Sequence, residues 1–296
     1  MTATTLRSWL FVPGDDPRKI ARGLAGEADA LIFDWEDAVA APRKGEARRL
    51  TCEAIAGAGE TPAQGHGPQR WVRINALDSE AAAADFAALP ATGIEGIVVP
   101  KACGPQDALR TAERLAALER GRAGTPGRLR MVLVATETAA SVLALSDFRA
   151  PVPRLAGLMW GGEDLSADLG VRRNREADGS YRPVFRLARD LTLLAAAATG
   201  ATAIDAVFTD VRDHAALEAE CREARTMGFT AKAAIHPGQV PAIHAGLRPD
   251  DEELAWARRV LTALAGTRSG VAMLDGRMID EPHRRLAHRL LAHAAA

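Results

Sequence analysis

The sequence has few cysteines, few aromatic residues and no excess of charge of either sign. Its 296 residues include three cysteines and no CxxC pair, so neither a disulfide framework nor a zinc site is indicated. Aromatic residues make up 4% of the chain, which is too few for a base-stacking platform. With 37 basic and 38 acidic residues the net charge is −1, which argues against nucleic acid and anionic membranes as partners.

Long hydrophobic runs are also absent. The longest uncharged apolar stretch, Leu191 to Ile204, has 14 residues, fewer than the roughly 18 that a membrane span requires. The start of the chain, MTATTLRSWLFVPG, contains too short an apolar run for a signal peptide. Together with the unpaired cysteines, this predicts a cytoplasmic protein in a reducing compartment.

Short apolar runs alternate with segments of helical spacing along most of the chain. Eight such units predict a (β/α)8 TIM barrel. An open doubly wound sheet is the alternative, but the first strand ends in Val12-Pro13-Gly14-Asp15 and not in a GxGxxG turn. The predicted strands, each with the pattern of a strand buried on both faces, are Ser8–Val12, Ala30–Asp34, Trp71–Asn75, Gly96–Pro100, Met131–Thr136, Gly157–Trp160, Ala203–Phe208 and Ala231–Ile235. The predicted helices include Pro17–Gly26, Arg43–Ala56, Ser79–Leu89, Pro105–Arg120, Phe185–Ala198 and His214–Met227.

The chain continues well beyond the eighth strand. A helix at Asp250–Ala265, the segment Gly270–Leu274 and a last helix from near Asp280 predict a C-terminal helical appendage. We therefore divide the chain into a barrel of residues 1–248 and an extension of residues 249–296. Three loops are long, namely Gly57–Gln69, Arg120–Arg130 and Arg172–Pro183. The third follows strand six, so we expect it at the catalytic face, where it would act as a lid.

Charged residues stand at the carboxyl end of nearly every predicted strand, where a barrel carries its chemistry. Converging carboxylates raise one another's pKa unless a cation neutralises them. Because no His/Cys cluster accompanies them, the pattern favours Mg²⁺, which binds through one or two carboxylates. Glu137 and Asp164, at the ends of neighbouring strands five and six, are the candidates to share one ion. The other polar ends are Asp34, Glu36, Asp37, Arg73, Asn75, Lys101, Glu163, Asp210 and His236.

Arg73 is a single arginine inside an apolar strand, between Val72 and Ile74. A buried arginine needs a partner. It either binds a substrate carboxylate through two parallel hydrogen bonds or forms a structural salt bridge to an acid of the second strand, Asp34, Glu36 or Asp37. A metal site nearby favours the first interpretation.

Three further strand ends have both a structural and a functional interpretation. Gly161 and Gly162 either let the backbone approach an anionic oxygen or simply form a tight turn. A lone histidine such as His236 is more often a hydrogen-bonded rim residue than a base. Asp210 is best explained as a cap of the following turn.

Nine segments at or near the strand ends, taken in order, form a recognisable pattern. They are RSWLFVPGDDPRKI, DWEDAVAAPRKGEAR, WVRINAL, GIVVPKA, ATETAASVL, MWGGEDLSADLG, VFTDVRD, KAAIHPGQV and LDGRMIDEPH. With these segments the chain resembles the citrate lyase β-subunit-like proteins of the HpcH/HpaI aldolase/citrate lyase superfamily, which includes malyl-CoA and citramalyl-CoA lyases. The resemblance covers about residues 6 to 292, and Trp35 stands where the family usually has leucine.

The resemblance implies a barrel with Mg²⁺ in its mouth, assembled as a homotrimer or a multiple of one. Glu137 and Asp164 would be the metal ligands, with Glu36 and Asp37 behind them. Arg73 would bind the substrate carboxylate, assisted by the backbone at Glu163 and Asp164. Asp280 would be the acid/base that reaches a neighbouring subunit's site. The positions that would contact the acyl-CoA are Phe11, Val12, Ile235 and His236, and Arg18, Lys19 or Arg22 would lie near its phosphates.

The implied reaction is Mg²⁺-dependent cleavage or formation of a malyl-CoA or citramalyl-CoA type thioester, which yields an α-keto acid and an acyl-CoA. A thioester hydrolase is one alternative. A citrate lyase β chain that acts on a thioester of an acyl carrier protein is another, and a non-catalytic barrel is the third. The sequence does not choose between glyoxylate and pyruvate, because one methyl group is worth only about 1–3 kcal/mol in a hydrophobic pocket.

Overall fold

A computed structural model describes residues 6–59, 67–121, 126–267 and 270–294. Eight parallel strands close into a barrel in chain order, with the first strand paired to the eighth. This confirms the predicted (β/α)8 fold, and every strand boundary lies within three residues of its predicted position. The middle parts of two predicted long loops, 60–66 and 122–125, lie outside the described residues. The strands are β1 Ser8–Pro13, β2 Ala30–Asp34, β3 Gln69–Arg73, β4 Gly96–Val99, β5 Arg130–Val134, β6 Leu155–Met159, β7 Thr202–Asp205 and β8 Ala231–Ala234.

Helices surround the barrel, and several begin where the sequence supplies a cap. The carboxylates of Asp16 and Asp213 accept hydrogen bonds from backbone N–H groups in the first turns of the helices that begin at Pro17 and His214, and the hydroxyl of Thr138 does so for the helix that begins at Ala139. Three short helices, Ala139–Ala144, Gly162–Asp168 and Val240–Leu247, are not among those named from the sequence. The helices around the barrel are α1 Pro17–Leu24, α2 Lys44–Gly57, α3 Ala81–Ala88, α4 Pro105–Arg120, α5 Ala139–Ala144, α6 Gly162–Asp168, α7 Pro183–Thr199, α8 His214–Met227 and α9 Val240–Leu247.

Alternation along the strands produces two apolar layers. In β2, Ile32 packs inside the barrel with Trp71 and Val98, whereas Leu31 and Phe33 pack outward against the helices. All five residues are fully buried. Because both faces of the strands are apolar, the polar residues that follow them are collected at the carboxyl-terminal mouth of the barrel.

The C-terminal segment forms a separate small cluster. It comprises α10 Asp251–Ala265, the hairpin strands β9 Ala272–Leu274 and β10 Arg277–Ile279, and α11 Glu281–Ala294. The hairpin turns at Asp275-Gly276, both of which have positive φ, as a two-residue type I′ turn requires. The division at residues 248 and 249 stays a prediction. Within the described residues, no helix is long and apolar enough to cross a membrane.

Candidate active site

A pocket of about 250 Å³ opens at the carboxyl-terminal mouth of the barrel. Most of the residues singled out at the strand ends line this pocket, so the fold brings together residues that are far apart in the sequence. The residues that line it are Phe11, Asp34, Asp37, Ala38, Arg73, Val134, Glu137, Met159, Trp160, Gly161, Gly162, Glu163, Asp164, Val207 and Ile235. A larger cleft of about 790 Å³ lies between α7, α8 and the loop before α7, but it does not include the predicted metal ligands or Arg73.

Glu137 follows β5 and is almost completely buried, with 3% of its surface exposed. Burial raises the pKa of its carboxyl to about 8, and the nearby charges of Asp164 and Glu36 act in the same direction. Its carboxylate accepts a hydrogen bond from the backbone N–H of Lys101. A buried carboxylate that is so costly to ionise is a group that a cation would stabilise.

Asp164 lies in the first turn of α6, on the strand end next to that of Glu137, and its side chain is partly exposed. The backbone of Gly161 packs closely against the Glu137 side chain, since a Cβ at residue 161 would lie 3.1 Å from Glu137 Cγ. Among the described residues, no group of three or more His, Cys, Asp or Glu side chains is arranged to hold a metal. The two carboxylates are nevertheless the hard oxygen donors that Mg²⁺ uses, with water and substrate completing its shell.

Arg73 ends β3 and points its guanidinium into the same pocket. Its Nε and Nη2 donate to the two carboxylate oxygens of Asp34 at 2.8 and 2.6 Å, and its Nη1 lies 2.9 Å from Glu36 Oε2. Burial opposes the charge of Arg73, but these acids raise its pKa above the ordinary value. The structural salt bridge considered from the sequence is therefore present. Only the two contacts with Asp34 are hydrogen bonds, whereas Glu36 Oε2 accepts none, so three of the five N–H groups of the guanidinium remain for a ligand.

Lys101 follows β4 and contacts more of the site's acids than any residue predicted to act there. Its Nζ lies 2.5 Å from Glu36 Oε1, 3.3 Å from Asp37 Oδ2 and 3.9 Å from Asp164 Oδ1. Its φ of +52° is left-handed, which is uncommon for a side-chain-bearing residue, and this conformation accompanies the hydrogen bond from its backbone N–H to Glu137. In the sequence Lys101 stands out only as a polar strand end, and no role is predicted for it.

The other predicted contacts fall on different sides of the barrel wall. Phe11 and Ile235 line the pocket. Val12 does not line it, because its side chain packs outward in the layer between strands and helices. The exposed His236 accepts a hydrogen bond from the Gly238 backbone at 3.0 Å and caps a short turn, as a rim residue does.

Of the remaining predicted residues, Asp37 lines the pocket. Glu36 is buried behind Arg73 and Lys101, and burial raises its pKa. Asp37 lies at the rim with 56% of its side chain exposed. Asp210 lies five residues beyond the end of β7 and accepts a hydrogen bond from the Arg212 backbone, which agrees with a capping role. Arg18, Lys19 and Arg22 lie exposed on α1.

Asp280 is not among the residues that line the pocket within one chain. It lies between β10 and α11, where its Oδ1 is 2.7 Å from His283 Nδ1. The structure therefore brings Arg73, Glu137, Glu163 and Asp164 together, and it leaves Asp280 apart. Its predicted place in the site of a neighbouring subunit stays a prediction.

Comparisons with known proteins agree with this architecture. The family model described as HpcH/HpaI aldolase/citrate lyase matches residues 7–237. A citrate lyase subunit beta-like protein of Mycobacterium tuberculosis is 37% identical over 287 residues, which cover 97% of this chain and 94% of that protein. A (3S)-malyl-CoA thioesterase of Cereibacter sphaeroides is 36% identical over 302 residues, covering 99% and 96% of the two chains.

Solved structures give the same result. The structure of CitE from Mycobacterium tuberculosis in complex with magnesium, acetoacetate and coenzyme A matches with a TM-score of 0.80 and 35% identity, over the full length of both chains. The family match, the relatives and the shared barrel agree with one another. The chain belongs to the HpcH/HpaI aldolase/citrate lyase family.

Proposed function

We propose that the protein is a Mg²⁺-dependent carbon–carbon lyase. Its substrate would be a 3-hydroxyacyl-CoA of the malyl-CoA or citramalyl-CoA type, which it cleaves to, or forms from, an α-keto acid and an acyl-CoA. The observation that carries the proposal is that Glu137, Asp164 and Arg73 line one pocket at the barrel mouth. Two carboxylates beside a guanidinium are suited to a ligand that carries a carboxylate and a hydroxyl group on adjacent atoms.

Glu137 and Asp164 would hold the metal ion. The fit rests on the donor set, since both are hard oxygen ligands and Glu137 is buried with its pKa raised to about 8. When bound, Mg²⁺ would supply the positive charge that stabilises negative charge on the substrate's hydroxyl oxygen. The CitE structure that resembles this chain contains magnesium, which supports the assignment.

Arg73 would orient the substrate carboxylate. Asp34 and Glu36 hold its guanidinium from behind, and Phe11 lies with its ring centroid 4.9 Å from Arg73 Cζ. The N–H groups that Asp34 does not use can pair with a carboxylate. The backbone at Glu163 and Asp164 would assist. Because the guanidinium is held in advance, it loses little conformational freedom when the substrate binds.

The bond that breaks joins the hydroxyl-bearing carbon to the α-carbon of the thioester. A general base takes the proton of the hydroxyl, which becomes the keto group, and the electron pair of the broken bond passes to the α-carbon as a thioester enolate. That carbon must then gain a proton, and Asp280 of a neighbouring subunit is the proposed donor. In the direction of condensation the same aspartate would remove the proton from the acyl-CoA.

The acyl-CoA would lie across the rim formed by Phe11, Val12, Ile235 and His236, and its phosphates would lie near Arg18, Lys19 or Arg22. We propose a homotrimer, or a multiple of one, because Asp280 lies outside the pocket of its own chain. The C-terminal extension, residues 249–296, would then complete the neighbouring site. In this arrangement a dissociated monomer retains the metal ligands and loses turnover.

A thioester hydrolase is the second candidate, and the name of the Cereibacter sphaeroides relative favours it. The same pocket would then direct water at the thioester carbonyl. A citrate lyase β chain acting on a carrier-protein thioester is a further alternative, and its test is co-purification of an acyl carrier protein with poor turnover of free CoA esters.

Product analysis separates the two leading candidates. Purified protein is incubated with malyl-CoA and with citramalyl-CoA, each with Mg²⁺ or with EDTA, and keto acid and free CoA are measured. The lyase predicts keto acid that requires metal and appears without free CoA. Free CoA without keto acid supports the hydrolase and contradicts the lyase.

A further inference from the structure

A cluster of buried charges lies outside the barrel wall, between β7, β8 and the helices α7 and α8. Asp205 and Lys232 are fully buried, and Arg189 is 2% exposed. Arg189 Nε and Nη2 donate to the two carboxylate oxygens of Asp205 at 3.0 and 3.1 Å, and Lys232 Nζ lies 3.0 Å from Asp205 Oδ2. Lys232 Nζ also donates to Glu220 at 2.9 Å. None of these four residues lines the pocket at the barrel mouth.

Such a cluster is not explained by stability alone. Buried ion pairs lose so much hydration that apolar residues of similar volume often stabilise a fold equally well or better. Buried ion pairs do fix the orientation of a side chain, because the donors hold each carboxylate oxygen at a defined position. The cluster therefore has the features of a support that orients a neighbouring group.

Trp160 connects the cluster to the site. Its indole Nε1–H donates to Asp205 Oδ1 at 2.6 Å, and its side chain packs in the layer between strands and helices. The six-membered ring lies beneath the next turn of the chain, since a Cβ at Gly162 would be 3.1 Å from Trp160 Cζ3. The indole thus supports the turn that carries Asp164, one of the two proposed metal ligands.

A second connection runs through the loop before α7. Tyr181 is buried and meets Trp160 edge to face, with ring centroids 4.8 Å apart. Arg175 Nη2 lies 2.5 Å from the Tyr181 hydroxyl, and Arg175 Nη1 lies 2.7 Å from Glu220. The neighbouring Asn174 donates to Glu163 Oε1 at 2.8 Å. The loop is therefore attached to the charge cluster and to the Glu163–Asp164 turn at the same time.

We propose that Trp160 and Asp205 are positioning residues for metal binding. In this role Asp205, fixed by Arg189 and Lys232, holds the indole of Trp160, and the indole holds the Gly162–Asp164 turn at the distance from Glu137 that one divalent ion requires. The inference rests on the proposed function, because that proposal assigns Asp164 as a metal ligand. It adds two residues that are not themselves metal ligands, of which Trp160 lines the pocket and Asp205 does not.

The test is Trp160→Phe, which keeps an aromatic ring and leaves every charge of the cluster in place. It removes the indole N–H and the ring edge beneath Gly162, so the turn is no longer held. Loss of a residue that orients a metal ligand commonly costs about 10- to 100-fold in metal affinity. We expect the dissociation constant for Mg²⁺, measured by calorimetric titration of Mg²⁺ alone, to rise by about that factor. Raising the Mg²⁺ concentration should then restore most of kcat.

Trp71→Phe is the matched control. Trp71 is also completely buried and its Nε1 donates to Gln69 at 3.3 Å, but it packs inside the barrel beside Trp9 and does not line the pocket. The Trp71→Phe protein should be less stable than wild type and should bind Mg²⁺ with unchanged affinity. Equal weakening of Mg²⁺ binding in both variants, or wild-type affinity in a folded Trp160→Phe protein, overturns the proposal.

A second pair of variants tests the carboxylate. Asp205→Asn removes the charge that holds the indole, whereas Glu119→Gln removes a buried carboxylate that pairs with Arg154 far from the site. In a protein labelled with ¹⁵N-tryptophan, each of the five tryptophans contributes one indole N–H resonance, and Trp160→Phe identifies the one that belongs to Trp160. That resonance should shift in Asp205→Asn and stay in place in Glu119→Gln; an unmoved resonance in a folded Asp205→Asn protein contradicts the positioning role.

The wild-type protein distinguishes a failure of this inference from a failure of the proposed function. If wild type neither binds Mg²⁺ nor turns over either thioester, the proposed function is wrong and the positioning role is lost with it. If wild type binds Mg²⁺ and releases keto acid while folded Trp160→Phe behaves identically, the inference alone is wrong.

Discussion

Replacement of Glu137 by glutamine is expected to stabilise the metal-free protein while it destroys the metal site. Glu137 is 3% exposed, and burial raises its pKa from 4.5 to about 8. At pH values between these two pKa values, the Glu137 carboxyl keeps its proton in the folded protein and has lost it in the unfolded chain. Stability therefore falls as the pH rises from about 4.5 to about 8.

The magnitude follows from the same shift. One pKa unit corresponds to about 1.4 kcal/mol, and pH 7 lies about 2.5 units above the ordinary glutamate pKa, so the cost at pH 7 is about 3 kcal/mol. Glutamine has no charge to lose, and its amide oxygen can still accept the Lys101 backbone N–H. We expect Glu137→Gln to be more stable than wild type at pH 7 by up to about 3 kcal/mol when EDTA is present.

The assay is urea unfolding at pH 5, 7 and 8, each with EDTA and with Mg²⁺. The difference between Glu137→Gln and wild type should grow with pH in EDTA, and Mg²⁺ should stabilise wild type alone. Glu163→Gln is the control, because Glu163 is exposed at the same rim and a surface substitution should change stability by less than about 0.5 kcal/mol. Equal stabilisation of wild type and Glu137→Gln by Mg²⁺ would refute the assignment of this carboxylate.

Three further predictions concern other groups. Arg73→Lys cannot reproduce the forked contacts to Asp34 and Glu36, so kcat/KM for the thioester should fall about 10- to 100-fold; an unchanged value means that Arg73 is only structural. Asp280→Asn and Glu137→Gln should each be inactive alone, and subunit exchange between them should restore keto acid release; no recovery places Asp280 outside the neighbour's site. Burial alone would raise the pKa of Glu119, but Arg154 and the Leu129 and Gly127 backbone N–H groups lower it to about 2. Its contribution to stability is therefore complete above about pH 4.5 and lost as the pH falls toward 2, so Glu119→Gln should destabilise the protein at pH 7 and have little effect near pH 2; an effect independent of pH contradicts this.

The barrel could be predicted from the sequence because each strand is buried on both faces. In β2, for example, residues 30–33 are all apolar and the strand lies between helical segments, so local pattern and fold agree. The C-terminal ends of parallel strands in a closed barrel all lie at one mouth. The topology alone therefore predicts that Glu137 and Asp164 lie in one pocket. These parts of the site follow from topology.

Other parts of the site depend on side-chain geometry that a pattern does not contain. Lys101 adopts a left-handed backbone that only its place between Glu36, Asp37 and Glu137 explains. The Asp205–Lys232 pair joins residues 27 positions apart on neighbouring strands, and each stands in a short apolar run where a charge is unexpected. The outward packing of Val12 likewise depends on its register in β1, which places the side chain behind the wall.

The proposed reaction requires a divalent ion, held by Glu137 and Asp164, that binds the keto acid in the barrel mouth. Its most direct test is a crystal grown with Mn²⁺ and pyruvate, in which anomalous scattering locates the ion. We expect a single strong peak between these two carboxylates, with the carboxylate and keto oxygens of pyruvate beside the ion, water completing its shell and Arg73 facing the carboxylate of pyruvate. A peak elsewhere, or pyruvate bound away from the metal, would contradict it.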